Sequence, residues 1–171
     1  MAAGNTYVAL ATNTLSSAAS SVTFSSISAA YTDLVLVCSN IVPSASMDIT
    51  AYVNSDTASN YSTTNLTGDG SSTVSGRVSN QTKMYVSDFN VSVGGTNPTM
   101  FTVQCMNYSN TTTYKTFLSR GTIQGPSSTG EVNANVSLWR STAAVTSITL
   151  QTNTGTMATG STFTLYGIAA A

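Results

Sequence analysis

The chain has 171 residues, enough for one domain that buries most of its own surface without a disulfide or metal staple. Charged side chains are only 6% of it, against about 25% in ordinary soluble proteins, while Ser and Thr fill about a third. Five basic and six acidic residues give a formal net charge of -1, which offers nucleic acid no cationic face.

The opening MAAGNTYVALATNTLSSAASS has neither the basic start nor the continuous apolar core of an export signal, and no run of about 18 apolar residues could cross a membrane as a helix. Candidate strands then follow at short spacing: Tyr7 to Ala11, Ser21 to Phe24, Asp33 to Ser39, Met47 to Asn54, Lys83 to Val93, Thr99 to Tyr108, Tyr114 to Gly121, Val132 to Trp139, Val145 to Gln151 and Ser161 to Ile168. Turn signals such as VPSAS, TGDGSS, VGGTNP, QGPSSTG and TNTGT separate them. The run DLVLVCS is apolar on both faces and predicts a strand covered on both sides, whereas FTVQCMNY and KTFLSRG have mixed faces.

No stretch keeps a 3.6-residue apolar period for three turns, so the chain reads as all-β. Unequal Ser, Thr and Gly connections, above all Asn54 to Ser79, disfavour an up-and-down barrel. They point to a two-sheet antiparallel sandwich of jelly-roll type, with an immunoglobulin-like sandwich as the alternative. The segment Ser55 to Ser79 reads as a long polar surface loop. The domain spans 1–171, with 1–20 a candidate N-terminal arm. Cys38 and Cys105 fall in apolar strand-like runs, where a buried free thiol is the default.

With no histidine, the usual general base, the Ser-His-Asp arrangement and the commonest metal ligand are all missing. Asp33, Asp48, Asp56, Asp69, Asp88 and Glu131 are the whole carboxylate supply, and their turn and strand positions suit capping better than a glycosidase pair. TGDGSS lacks a phosphate-binding spacing, and one carboxylate there is too little charge for calcium. The reading is therefore a protein without catalytic residues, cofactor or metal. Tyrosines such as Tyr52, Tyr61, Tyr85, Tyr108 and Tyr114 could stack on sugars, but strand tyrosines more often pack half-buried. Trp139 and Arg140 suggest either a core anchor or an anchor and rim pair at a subunit contact.

At YTDLVLV, NSDTASNYSTTNLTGDG, YSNTTTYKTFLSR, LWRSTAAVTSITL and GSTFTLYGI, from Tyr31 to Ile168, the sequence resembles a β-rich domain found in structural proteins of tailed bacteriophages. The resemblance implies a non-enzymatic virion protein, made in the host bacterial cytoplasm. It would decorate or cement the capsid exterior by bridging major capsid subunits, as a homo-oligomer with a trimer favoured. Tyr7, Trp139, Arg140 and Ile168 are then candidate subunit contacts. The alternative is a tail-fibre or tail-tip module binding a host glycan or receptor, with Tyr61 and Asp69 in the ligand loop. Neither reading calls for nucleic acid, a membrane or a cofactor.

Overall fold

The computed structural model describes residues 6–87, 93, 94, 97–124 and 130–169. Alternation of apolar and hydroxylated residues gives twelve strands among them: β1 Tyr7–Thr14, β2 Ser21–Phe24, β3 Asp33–Ile41, β4 Ile49–Val53, β5 Tyr61–Gly68, β6 Thr73–Gln81, β7 Met84–Tyr85, β8 Thr99–Met106, β9 Lys115–Gln124, β10 Gly130–Trp139, β11 Ile148–Thr152 and β12 Thr162–Ile168. They form an eight-stranded sheet in the order β1-β12-β3-β8-β9-β10-β5-β6 and a four-stranded sheet in the order β2-β11-β4-β7. All named pairings are antiparallel, and the two sheets pack as a sandwich, as the sequence predicts.

The pairing is nested: β1 with β12, β2 with β11, β3 with β8 and β4 with β7. This is the wrapping scheme of a jelly roll. The remaining four strands are two inserted hairpins, β5/β6 between β4 and β7 and β9/β10 between β8 and β11, and they widen one sheet by a panel β9-β10-β5-β6.

The core lies between the sheets. Leu34, Leu36 and Cys38 of β3, Phe101, Val103 and Cys105 of β8, and Phe163 and Leu165 of β12 face Val22, Ile49, Ala51, Val53, Ile148 and Leu150 from the small sheet. Cys38 and Cys105 are both buried free thiols. In the β3/β8 register Cys105 lies opposite Leu34, four residues along the strand from Cys38. That is roughly 13 Å at the usual rise, beyond the reach of a disulfide.

Several sequence expectations change. The polar stretch Ser55 to Ser79 is not a loop: its larger part is the β5/β6 hairpin, and β5 is an interior strand paired with β10. Of the 1–20 segment, residues 7–14 are the edge strand β1, tied to β12 along its length, and the Leu15 amide bonds the Ser161 carbonyl. Of the strand expected over Lys83 to Val93, the described residues show Met84–Tyr85 as strand and Val93 in an isolated bridge to Met47; Asp88 and the rest of 88–92 lie outside the described residues. Finally, β3 meets a second sheet on its inner side alone, yet on the outer face, beside β8 and β12, Val35 is also buried and Val37 half-buried, so the two-sided apolar run is largely covered within one chain.

Candidate interaction face

The two outer faces of the sandwich differ in chemistry. On the small sheet the outward positions are Ser21, Thr23, Thr50, Tyr52, Tyr85, Thr149 and Gln151, every one carrying a hydroxyl or amide. Thr23 and Thr149 hydroxyls bond one another at 2.9 Å. The nine large apolar side chains that stand exposed among the described residues are Tyr7, Leu66, Val74, Met100, Met106, Tyr114, Leu118, Val132 and Val136. All lie on the large sheet or lead directly into it.

Strand β10 shows how this arises. GEVNANVSLW alternates, and its Val132, Ala134, Val136 and Leu138 would ordinarily form a core-facing row. The structure does the reverse. Asn133, Asn135 and Ser137 point inward and are buried, while Val132 is 69% and Val136 51% exposed.

The inward polar row is held by hydrogen bonds, which lets it be buried. Asn135 Nδ2 donates to the carbonyls of Tyr85, Val86 and Ser87 at 3.2, 3.1 and 2.8 Å. Asn133 Nδ2 donates to Asn135 Oδ1 and Thr67 Oγ1, and the Thr63 and Ser137 hydroxyls bond at 2.8 Å. Ser119 Oγ donates to the Val86 carbonyl, and the Tyr85 amide to Thr63 Oγ1. Segment 84–87 thus lies over a hydroxyl and amide floor built by β5, β9 and β10. A slip of one residue would bury the valines and leave these polar groups without partners, so the network fixes which side faces out.

On the outer side, Gln104, Leu118, Val136 and Thr64 are directly opposite across β8, β9, β10 and β5. In the next row Thr102, Arg120, Ala134 and Leu66 align. Asp33, Gln104, Met106, Tyr114, Thr116 and Leu118 bound a shallow concavity of about 360 Å³ on this face. Asp33, Arg77 and Arg120 are the charged groups among its described outward positions, and Asp33 already accepts the Asn107 amide at 2.7 Å.

The residues singled out in the sequence fall in different places. Tyr7 and Ile168 are opposite each other at one corner of this outer face, where the Tyr7 and Tyr166 rings meet edge to face at 6.0 Å. Trp139 does not reach a surface: it is buried, stacks on Tyr61 at 6.5 Å and donates from Nε1 to Asp56 Oδ2 at 2.7 Å. It is a core anchor, and the subunit-contact reading does not hold for it. Arg140 is spent within the chain on the Ser59 carbonyl and Asn80 Oδ1.

Tyr61 and Asp69 do not share a ligand loop. Tyr61 opens β5 and is buried; its hydroxyl accepts from the Val53 amide and donates to the Asp56 carbonyl, and burial pushes its pKa up to about 12. Asp69 sits at the exposed β5/β6 turn, where the Ser72 and Ser71 amides hold its carboxyl well below the usual range. The other carboxylates are similarly local: Asp48 accepts from Asn153 and Asp56 from Asn60, Ala58 and Trp139. Among the described residues no three His, Cys, Asp or Glu side chains group as metal ligands. Lys115 is buried at the start of β9, its ammonium on the carbonyls of Thr113 and Thr142, and burial lowers its pKa. Of the tyrosines proposed to stack on sugars, Tyr61 and Tyr108 are interior, and Tyr114 is the exposed one.

No protein-family model matches this sequence, and no curated protein matches it.

The face escaped the sequence reading because its best signal, the Val132-Ala134-Val136-Leu138 row, is the pattern expected of a core. The residues between those positions carried the contrary sign: two Asn and a Ser at strict alternation, each able to satisfy a buried partner.

Proposed function

We propose that this chain is a structural protein of a bacteriophage particle, acting by binding alone and decorating or cementing the capsid exterior. The observation that carries the reading is the set of exposed apolar side chains, Leu66, Met100, Met106, Leu118, Val132 and Val136, on the large sheet's outer face, on a chain whose other outer face is hydroxylated. A large exposed apolar patch on an otherwise polar molecule is the mark of a surface covered in use. The sequence resemblance supplies the setting, a virion, with the major capsid protein as partner and shell stability arising from many modest contacts repeated over a lattice.

Electron microscopy of purified particles labelled with a gold-tagged antibody against this chain tests the reading. Label over the head, together with earlier shell rupture on heating in particles lacking the protein, is the expected result. Label at the tail end, or no label on intact particles, refutes capsid decoration.

A further inference from the structure

We infer that the seam between the edge strands β1 and β2 is a binding site for a small uncharged amphipath, an apolar ring or short alkyl chain carrying a hydroxyl head. The inference goes beyond the assembly reading and does not depend on it.

The seam follows from the strand order. β1 ends the large sheet and β2, only four residues long, ends the small one. A cavity of about 360 Å³ opens between them. Ala11 shows how incompletely the small sheet covers this edge. It stands directly opposite Leu165 and so shares that residue's inward side, yet Ala11 is exposed while Leu165 is buried. The volume lies at the small end of the range for ligand pockets.

The chemistry of the cavity selects the ligand. Phe24, Ile27 and Leu165, all core residues, form its walls together with the partly buried Leu10 and Tyr31. The core is therefore reached from solvent at this point. Ser25, Ser26 and Ser28 line it from exposed positions, and Ser28 Oγ accepts the Ala30 amide while keeping its own proton to donate. No Asp, Glu, Lys or Arg lines the cavity among the described residues. An ion entering it would lose hydration without gaining a counter-charge, whereas an alcohol buries its apolar body and bonds the serine hydroxyls through its head.

The walls are fixed by the fold itself, which spares the ligand the cost of ordering them. The Ile27 amide donates to the Thr146 carbonyl at 3.0 Å, the Tyr108 hydroxyl to the Ser28 carbonyl and the Thr32 amide to the Ile168 carbonyl at 2.9 Å, so segment 25–31 is tied to the sandwich along its length. A Cβ on Gly167 would overlap the Tyr31 ring, so the glycine is what lets that ring lie against β12. Leu10 is the extra residue of the β1 bulge, between Ala9 and Ala11 in the register, and bulges of this kind re-aim side chains.

An NMR titration of the isotope-labelled full chain with hexanol and with benzyl alcohol is the test, with hexanoate as the charged counterpart and Ala11→Trp to fill the cavity. Both alcohols should shift the amides of Leu10, Ser26 and Ile27 saturably, with a Kd on the order of 1 mM. Hexanoate should bind about 10-fold more weakly. The new indole, on the inward side of β1, should weaken alcohol binding by about 10-fold or more. Ala11 is exposed, so circular dichroism and the thermal midpoint should match the wild type, and the wild-type titration stands without the variant. No saturable shift at millimolar alcohol, shifts centred elsewhere on the molecule, equal binding of hexanoate, or binding indifferent to Ala11→Trp overturns the inference. Alcohols that fail to bind while Ala11→Trp detaches the protein from particles would give the cavity to a side chain of the shell and overturn it as well.

Discussion

Asn135→Ala beside Val136→Ala asks which side of β10 carries the protein's stability. Asn135 is fully buried, and its amide is the donor shared by the carbonyls of Tyr85, Val86 and Ser87 while its Oδ1 accepts from Asn133. Val86 keeps the Ser119 hydroxyl and Asn133 keeps Thr67 when the side chain is cut back, so the loss is partial. Carbonyls left without that donor cost roughly 1–3 kcal/mol and the small void about 1 more, giving about 3 kcal/mol in total. For a chain of this size that lowers Tm by roughly 6–12 °C. Val136 is half exposed, and its truncation should stay within about 0.5 kcal/mol. Trp139, the single tryptophan, is buried against Tyr61 and gives a fluorescence signal for urea unfolding at submicromolar protein. If Val136→Ala costs as much as Asn135→Ala, β10 faces the other way and the polar floor is wrong.

Other outcomes follow from single groups. Partial burial raises the Asp56 carboxyl, but bonds from Asn60, Trp139 and the Ala58 amide outweigh that and leave it below its ordinary 3.8. Its contribution is therefore present above that value and lost as pH falls through the folded one; Asp56→Asn should flatten that part of the acid unfolding curve, and an unchanged acid limb would count against the Trp139 bond. For Tyr61, whose folded pKa is raised from 10.0 to about 12 by burial, the stabilising contribution is intact below pH 10 and lost as pH rises towards 12. Tyr61→Phe should cost about 1–2 kcal/mol at neutral pH and lose that alkaline slope, which urea titrations at pH 7 and pH 11 will show. Burial pushes the Cys38 thiol well up and the Cys105 thiol to about 12, so neither should react with an aromatic disulfide reagent until urea unfolds the chain, when two equivalents appear. Rapid labelling of the native protein would place one of them at the surface.

How far the sequence disclosed these features depended on which residues signalled them. Strands β2, β3, β8 and β12 were legible because their apolar residues alternate or cluster and turn residues bound them. The hairpin β5/β6 was not, since its inward positions Thr63, Asn65 and Thr67 are as polar as a loop and become interior through bonds to β10 and segment 84–87. An Asp-Gly turn between two Thr-rich runs was the available clue, and it is a hairpin signal. Trp139 could be read two ways, and only the position of Asp56 across the β4/β5 connection decides for the core. Tyr7 and Ile168, far apart in sequence, stand opposite each other across β1 and β12, a pairing that no local pattern discloses.

Placement of β12 between β1 and β3 has a kinetic consequence. The first and third strands leave the ribosome early but touch only through the last, so the large sheet stays split during synthesis. Its closure joins segments about 150 residues apart, and long-range pairing of this kind folds on millisecond to second timescales. Until Thr162–Ile168 arrive, both flanking strands expose edges open to other chains. Yield in a cell therefore depends on how quickly the final strand is delivered as much as on the stability of the finished sandwich.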